Sequence, residues 1–149
     1  MERLTATPAS ATPVSAGPAG TGAPGEDDVR AALNAIIDPC SRAAGAPAGL
    51  VDMGLIRRLE VRPVQPGLVD VHVVIGVTEY ACLIGPSFAA EARKRLAPMA
   101  GIRELEIDLD GEFDWDPQDM SPAYQARLTE RRQAGNTFFL ALRDIRPHD

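Results

Sequence analysis

Two cysteines carry the most reactive side chains of this 149-residue chain, and each lies where a helix or strand is expected to begin or end. Cys82 stands in GVTEYACLIGPSF, between a run of β-branched residues and a helical pattern, and Cys40 follows IIDP. A thiolate is a soft ligand that favours iron–sulfur clusters, zinc or copper(I). Because N–H groups at a helix N-terminus favour an anion, the pKa of the Cys82 thiol is expected to be lowered there. The alternative is a buried cysteine that only fills space.

Hydrophobic periodicity predicts the elements that position these residues. Val29, Leu33 and Ile36 recur at helical spacing behind an acidic first turn, which predicts a helix that Asp38-Pro39 ends. A loop is expected over 40–49. The further elements, in chain order, are strands at 55–62 and 68–78, a helix at 84–99, a strand at 104–116 and a helix from Ser121-Pro122 to about Gln133.

The predicted strand at 104–116 has a period of two. Every even position is acidic, and the apolar odd positions are Leu105, Ile107, Leu109, Phe113 and Trp115. This pattern predicts one core face and one carboxylate face. The carboxylate row could hold a hard metal ion, but a solvated face that blocks edge aggregation is the commoner reading of such a row. Phe113 and Trp115 are expected in the core or as a lid over the strand.

The fold class that follows is α/β (α+β), a compact α-β-β-α-β domain with a small mixed sheet, plus a C-terminal helix and an apolar tail. The first two strands should pair antiparallel, and a right-handed crossover should place the third parallel to the second. Residues 1–25 are expected to be a disordered tail, 26–128 the domain, and 129–149 a C-terminal extension. Within that extension, TFFLALRDI is ambiguous between strand and helix.

Composition excludes several function classes. The net charge of −6 disfavours a nucleic-acid partner, because affinity for phosphate comes mainly from Lys and Arg. No apolar run approaches the ~20 residues that span a bilayer, so no membrane partner is expected. A cytoplasmic location is expected, and the two cysteines should be reduced thiols there. His72 and His148 are both distant in sequence from the cysteines, so a Cys–His catalytic dyad has little support.

Four motifs in order, IIDPC, VDMGLI, GVTEYAC and the segment around Trp115, resemble those of the SufT/PaaD-like metal–sulfur cluster assembly proteins. The resemblance covers residues 26 to about 128. It implies that Asp38, Asp52, Thr78 and Cys82 hold the family's pattern positions. Two departures stand out: Leu83 replaces a proline that usually follows the cysteine, and Cys40 replaces a glutamate.

The resemblance implies a factor that matures or delivers iron–sulfur clusters or iron, rather than an enzyme that turns over a metabolite; no catalytic residue is predicted. The cargo would be a transient cluster or iron, with zinc as the other metal that thiolates accept. Cys82 and Cys40 would be the metal ligands, and Thr78, Asp38 and Asp52 would line the same pocket. Because two sulfurs cannot complete a four-coordinate site, Asp38, Asp52, a second subunit or a client must add ligands.

The implied partners are a client metalloprotein or oxygenase component and the cluster-assembly machinery, and a homodimer is compatible with the pattern. A competing hypothesis is an adaptor or auxiliary subunit that binds a client enzyme through the acidic strand and TFFLALRDI, with incidental thiols. A thiol enzyme ranks third.

Overall fold

The computed structural model describes residues 22–78 and 83–143, with 136–143 described by their backbone alone. Cys82 and most of the predicted disordered tail lie outside these ranges. The elements in chain order are α1 (Glu26–Asn34), α2 (Pro39–Ala43), β1 (Ile56–Gln65), β2 (Leu68–Ile75), α3 (Gly85–Leu96), β3 (Ile102–Leu109), a 3₁₀ turn (Pro117–Asp119) and α4 (Pro122–Arg143).

The three strands form one mixed sheet in the order β1-β2-β3. β1 and β2 pair antiparallel, with Val61 opposite Val71. β2 and β3 pair parallel, with Val73 opposite Ile107, and α3 makes the crossover between them. The predicted α+β class and the pairing of all three strands are therefore confirmed.

One face of the sheet is apolar and carries the helices. Val71, Val73 and Ile75 alternate along β2 and are almost fully buried, and they share a core with Leu33 of α1 and Phe88 of α3. Burying each such side chain contributes about 1.5–3 kcal/mol relative to leaving it exposed. The opposite face is polar, as the alternation predicts.

The region between the first helix and the first strand differs from the prediction. α1 ends at Asn34, before the predicted stop at Asp38, because the chain turns to form an antiparallel bridge between Ile37 and Gly49. A Cβ at Gly49 would lie 1.8 Å from the carbonyl oxygen of Asn34, so glycine permits this close approach. The predicted loop over 40–49 then begins with the short helix α2, which Asp38 caps.

The ends of the strands also differ from those predicted. β1 continues to Gln65, past the predicted end at Arg62. β2 ends at Ile75 and not at Thr78, and β3 ends at Leu109 rather than at residue 116.

The alternation continues beyond β3 without a strand because the backbone turns there. The Asp110 carboxylate accepts a hydrogen bond from the Glu112 N–H at 3.0 Å, and Phe113 takes a φ of 53°.

At the C-terminal end, the Ser121 hydroxyl accepts a hydrogen bond from the Tyr124 N–H at 3.1 Å, which confirms the predicted helix start. α4 runs on to Arg143, so it includes most of TFFLALRDI and exceeds the predicted end at Gln133. Among the described helices, none is long and apolar enough to cross a membrane. At the other end, Pro24 is buried and Ala23 packs on the core, so the packed chain begins before Glu26.

Candidate functional site

The carboxyl ends of β2 and β3 lie side by side and face the start of α3. The Ile75 carbonyl accepts a hydrogen bond from the Asp110 N–H at 2.8 Å, and the Gly76 N–H donates to the Leu55 carbonyl at 2.7 Å. A Cβ at Gly85, the first residue of α3, would lie 2.9 Å from Val77 Cγ1. The helix N-terminus is thus packed directly against the end of the central strand, the usual location of a binding crevice in an α/β sheet.

Thr78 lies at this edge and is half-buried. It is the last described residue before the 79–82 segment, so the predicted site residue Cys82 lies outside the description. On the far side, Ile84 occupies the N-cap position of α3 and makes no side-chain capping bond to the first amides of the helix. Amides at a helix start favour negatively charged groups.

Asp38 is buried and organises the short helix that carries Cys40. Its carboxylate accepts a hydrogen bond from the Ser41 N–H at 2.7 Å, and the Ser41 hydroxyl donates to the Asp38 carbonyl at 2.7 Å. The same hydroxyl accepts from the Ala48 N–H at 2.9 Å. Cys40 follows Pro39 in the first turn of α2 and is exposed to solvent. The Asp38 carboxylate therefore stabilises the start of α2, the helix that carries Cys40.

Asp52 links three parts of the chain. One carboxylate oxygen accepts a hydrogen bond from the Asn34 amide at 3.1 Å, and the other accepts from the Ser121 hydroxyl at 2.7 Å. The Asp52 N–H donates to the Asn34 side-chain oxygen at 3.0 Å, and the Asp52 carbonyl accepts from the Ser121 N–H at 2.8 Å. Both carboxylate oxygens thus have protein partners, which join the end of α1 to the start of α4.

Arg57 holds the acidic loop that follows β3. Its guanidinium lies 2.8 Å from an Asp114 oxygen, 3.0 Å from an Asp119 oxygen and 3.6 Å from an Asp110 oxygen. The Asp119 pKa lies below its usual range, first because the Asp116 N–H donates a hydrogen bond to this carboxylate and then because Arg57 does. The Arg57 stem also lies against Gly76, where a Cβ would come within 2.9 Å of Arg57 Cδ. Arg57 therefore joins the loop to the end of β2.

Trp115 connects this loop to the segment before β1. Its indole N–H donates a hydrogen bond to the Met53 carbonyl at 2.7 Å, and its ring packs against the core. Of its two predicted positions, the core or a lid over the third strand, the first agrees with this packing of Trp115 against the core. Phe113, by contrast, has 42% of its surface exposed, so of its two predicted positions, the core or a lid over the strand, the core is excluded. Its positive φ turns the backbone away from the alternating pattern of the strand.

Exposed apolar side chains border the same edge. Among the described residues, the large hydrophobic side chains that stay exposed are Leu83 at 91%, Leu109 at 43% and Phe113 at 42%. Leu109 ends β3 and contacts the start of α3, where its methyl carbons lie 3.7 and 3.8 Å from a Cβ placed on Gly85. Leu83 and Leu109 therefore place exposed apolar surface beside the start of α3.

The structure thus brings Thr78, the start of α3 and the acidic loop held by Arg57 to the carboxyl edge of the sheet. Asp38 and Asp52, by contrast, each make internal hydrogen-bond networks. Sequence reasoning missed Arg57 and Asn34. Neither carries a local signal, because their partners are distant in the chain: Arg57 and Asp119 are 62 positions apart. Ser121 was recognised as a helix cap but not as a partner of Asp52.

Comparison with known proteins finds a similarity in fold. No family model matches the chain, and no curated protein matches it significantly. Among solved structures, the chain is similar to a domain of unknown function, DUF59, from Bacillus anthracis, with a TM-score of 0.55 and 20% sequence identity. The match covers 70% of this chain and 91% of that one. The chain therefore shares the fold of that domain.

Proposed function

We propose that this protein is an assembly or maturation factor that delivers iron or an iron–sulfur cluster to a client metalloprotein, with Cys82 as the soft ligand for that cargo. The observation that carries the proposal is the position of the residues flanking the 79–82 segment. Thr78 follows the end of β2 and Leu83 precedes α3, so the segment joins a strand end to a helix N-terminus. These are the surroundings in which a thiolate is favoured.

The comparison supports the proposal from a second direction. DUF59 is the family of SufT/PaaD-like assembly proteins, which the four sequence motifs also resemble. The motif order and the fold both agree with that family. Their agreement favours the assembly function over a thiol enzyme.

The chemistry of delivery is ligand exchange. An iron–sulfur bond to Cys82 breaks as the same iron gains a bond to a client thiolate, and no electron is gained or lost. Cys40 is exposed on α2 and would add a second sulfur, while Asp38 holds that helix in place. Thr78 would hydrogen-bond within the pocket, and Asp52 would hold the segment before β1 to the start of α4 through Ser121. The remaining coordination positions would come from the client or a second subunit.

The experiment is anaerobic reconstitution with iron and sulfide, followed by transfer to an apo-ferredoxin acceptor. We expect the Cys82→Ser chain to lose bound iron and transfer, with an unchanged circular dichroism spectrum. Cys40→Glu, which restores the residue usual in the resembled family, should retain part of the transfer, and Cys40→Ala should retain less. Full iron loading and transfer by Cys82→Ser would refute the proposal.

An adaptor function is the second candidate, and the exposed Leu83, Leu109 and Phe113 favour it. In this case the chain would hold a client through its apolar edge, the acidic strand and the C-terminal segment, without carrying metal. The same reconstitution separates the two functions. A chain that binds no iron but co-elutes with its client, and does so equally well after Cys82→Ser, is an adaptor.

A further inference from the structure

The open face of the sheet brings together a histidine and two carboxylates that the proposed delivery function does not use. His72 of β2 lies opposite Glu106 of β3 in the parallel register, and Asp108 follows two positions along on the same face. The His72 side chain is only 18% exposed, which restricts its orientation. These side chains project from paired strands, which hold positions more rigidly than loops do.

The three side chains lie close enough to converge on one ion. One ligand atom from each of His72, Glu106 and Asp108 lies within 4.8 Å of the other two. The His72 Nε2 and Asp108 Oδ2 atoms are 2.9 Å apart. Zinc lies about 2.0–2.2 Å from nitrogen and oxygen ligands, so two ligands at 90–109° would be roughly 2.9–3.5 Å apart. The two atoms therefore need little movement to bind one ion.

The local charge favours a cation. The arginines on this face pair with other acids: Arg103 with Asp70, and both Arg58 and Arg62 with Glu60. In the described parts of the chain, Glu106 makes no ion pair and Asp108 pairs with His72 alone. Arg62 lines the same hollow as His72 and Glu106, but its guanidinium pairs with Glu60. A bound dication would relieve the mutual repulsion of the Glu106 and Asp108 carboxylates.

We propose that His72, Glu106 and Asp108 form a surface site for a divalent transition-metal ion of the zinc type. An imidazole nitrogen with carboxylate oxygens suits zinc and its neighbours, whereas magnesium prefers oxygen ligands alone and gives up water reluctantly. Three protein ligands on an open face leave a coordination position for water or for a ligand from another molecule. This site uses none of the residues of the proposed delivery function.

The test is isothermal titration of the full-length chain with Zn²⁺, after replacing Cys40 and Cys82 by serine so that thiols do not contribute. We expect one Zn²⁺ per chain, and no comparable signal with Mg²⁺. His72→Ala and Asp108→Asn should each weaken binding by about tenfold or more. The matched controls are His148→Ala, which removes the other histidine, and Glu104→Gln, which removes an acid on the same strand; both should stay within about twofold.

Because these side chains are on the surface, the variants should fold, and circular dichroism checks this. A second measurement is a proton–nitrogen NMR spectrum of the imidazole groups. Zn²⁺ should shift the resonances of one histidine, and those resonances should be absent from the spectrum of His72→Ala. Absence of zinc binding in the cysteine-free chain would overturn the site. So would binding that survives His72→Ala unchanged or falls equally with Glu104→Gln. None of these outcomes bears on delivery by Cys82, because that ligand is absent from the tested chain.

Discussion

The Asp52 carboxylate accepts a hydrogen bond from the Ser121 hydroxyl at 2.7 Å, across 69 positions of sequence. This contact joins the segment before β1 to the first turn of α4. With the Asn34 amide on its other oxygen, Asp52 connects α1 to the same point. The residue predicted as a pocket ligand is therefore also a structural junction.

Replacing Asp52 by alanine should destabilise the fold. Two donors, from Asn34 and Ser121, would lose their acceptor, at about 1–3 kcal/mol in total. Urea unfolding measures this loss, and Ser121→Ala should also destabilise the fold, because it removes both the Asp52 contact and the cap on the Tyr124 N–H. In a double-mutant cycle the two changes should be non-additive. Additive effects would contradict the contact, and loss of bound iron from fully folded Asp52→Ala protein would indicate a ligand role as well.

The ion pairs between Arg57 and the acidic loop should make the free energy of unfolding depend on pH. Because the pKa of Asp119 is lowered in the folded state, its contribution is complete above the ordinary aspartate pKa of about 3.9 and disappears as pH falls through the lower folded value. Urea midpoints at pH 6 and pH 3 should therefore differ less for Asp119→Asn than for the natural chain. Arg57→Ala should give an intermediate difference, because the hydrogen bond from the Asp116 N–H survives. An unchanged pH dependence in Asp119→Asn would contradict this.

Two glycines with positive φ offer a matched pair for the packing of the acidic loop. Gly54 (φ 72°) contacts the loop, because a Cβ there would lie 2.3 Å from the Asp119 carbonyl oxygen. A Cβ at Gly67 (φ 77°) would have no atom within 4 Å. Gly67→Ala should cost only the backbone strain, roughly 1–2 kcal/mol. Gly54→Ala should cost at least ~2 kcal/mol more, because the loop must move. Thermal unfolding followed by fluorescence of Trp115 reports both, and equal losses would count against the packing.

The start of the packed chain can be located by truncation. A chain beginning at Gly22 keeps Ala23 on the core and the hydrogen bond from the Gly25 N–H to Asp28 at 2.9 Å. A chain beginning at Glu26 loses both and should be less stable by about 1 kcal/mol in urea. Removal of residues 1–21 should stay within about 0.5 kcal/mol of the full chain, the range typical of neutral changes. Identical stability of the two truncated chains would show that Ala23 and Pro24 contribute nothing.

The parts of the fold that followed from sequence are those governed by neighbouring residues. The alternating valines of β2 and the acids of β3 each have a period of two, and that period decides which face of the sheet is buried. Likewise, Ser121 before Pro122 started α4 as predicted, because a cap acts on amides two or three positions away. The length of the connection through α3 was enough to predict a parallel third strand.

The same alternation continues to residue 116, yet β3 stops at Leu109. Local pattern alone could not distinguish a strand from a loop held by Arg57, whose partners become neighbours only after the sheet forms. For the same reason, Asp38 was recognised as a helix end but not as the cap of α2, since the antiparallel bridge between Ile37 and Gly49 had first to turn the chain.

By itself, the sequence determined the class of fold, the order and direction of its strands, and the polarity of each sheet face, because these depend on periodicity and on connection length. Only the tertiary structure decided where the strands end, which acids Arg57 gathers, and that His72 meets Glu106 and Asp108. Each of these depends on pairs of residues far apart in the chain, and their distances are set by strand register and helix packing rather than by the residues beside them.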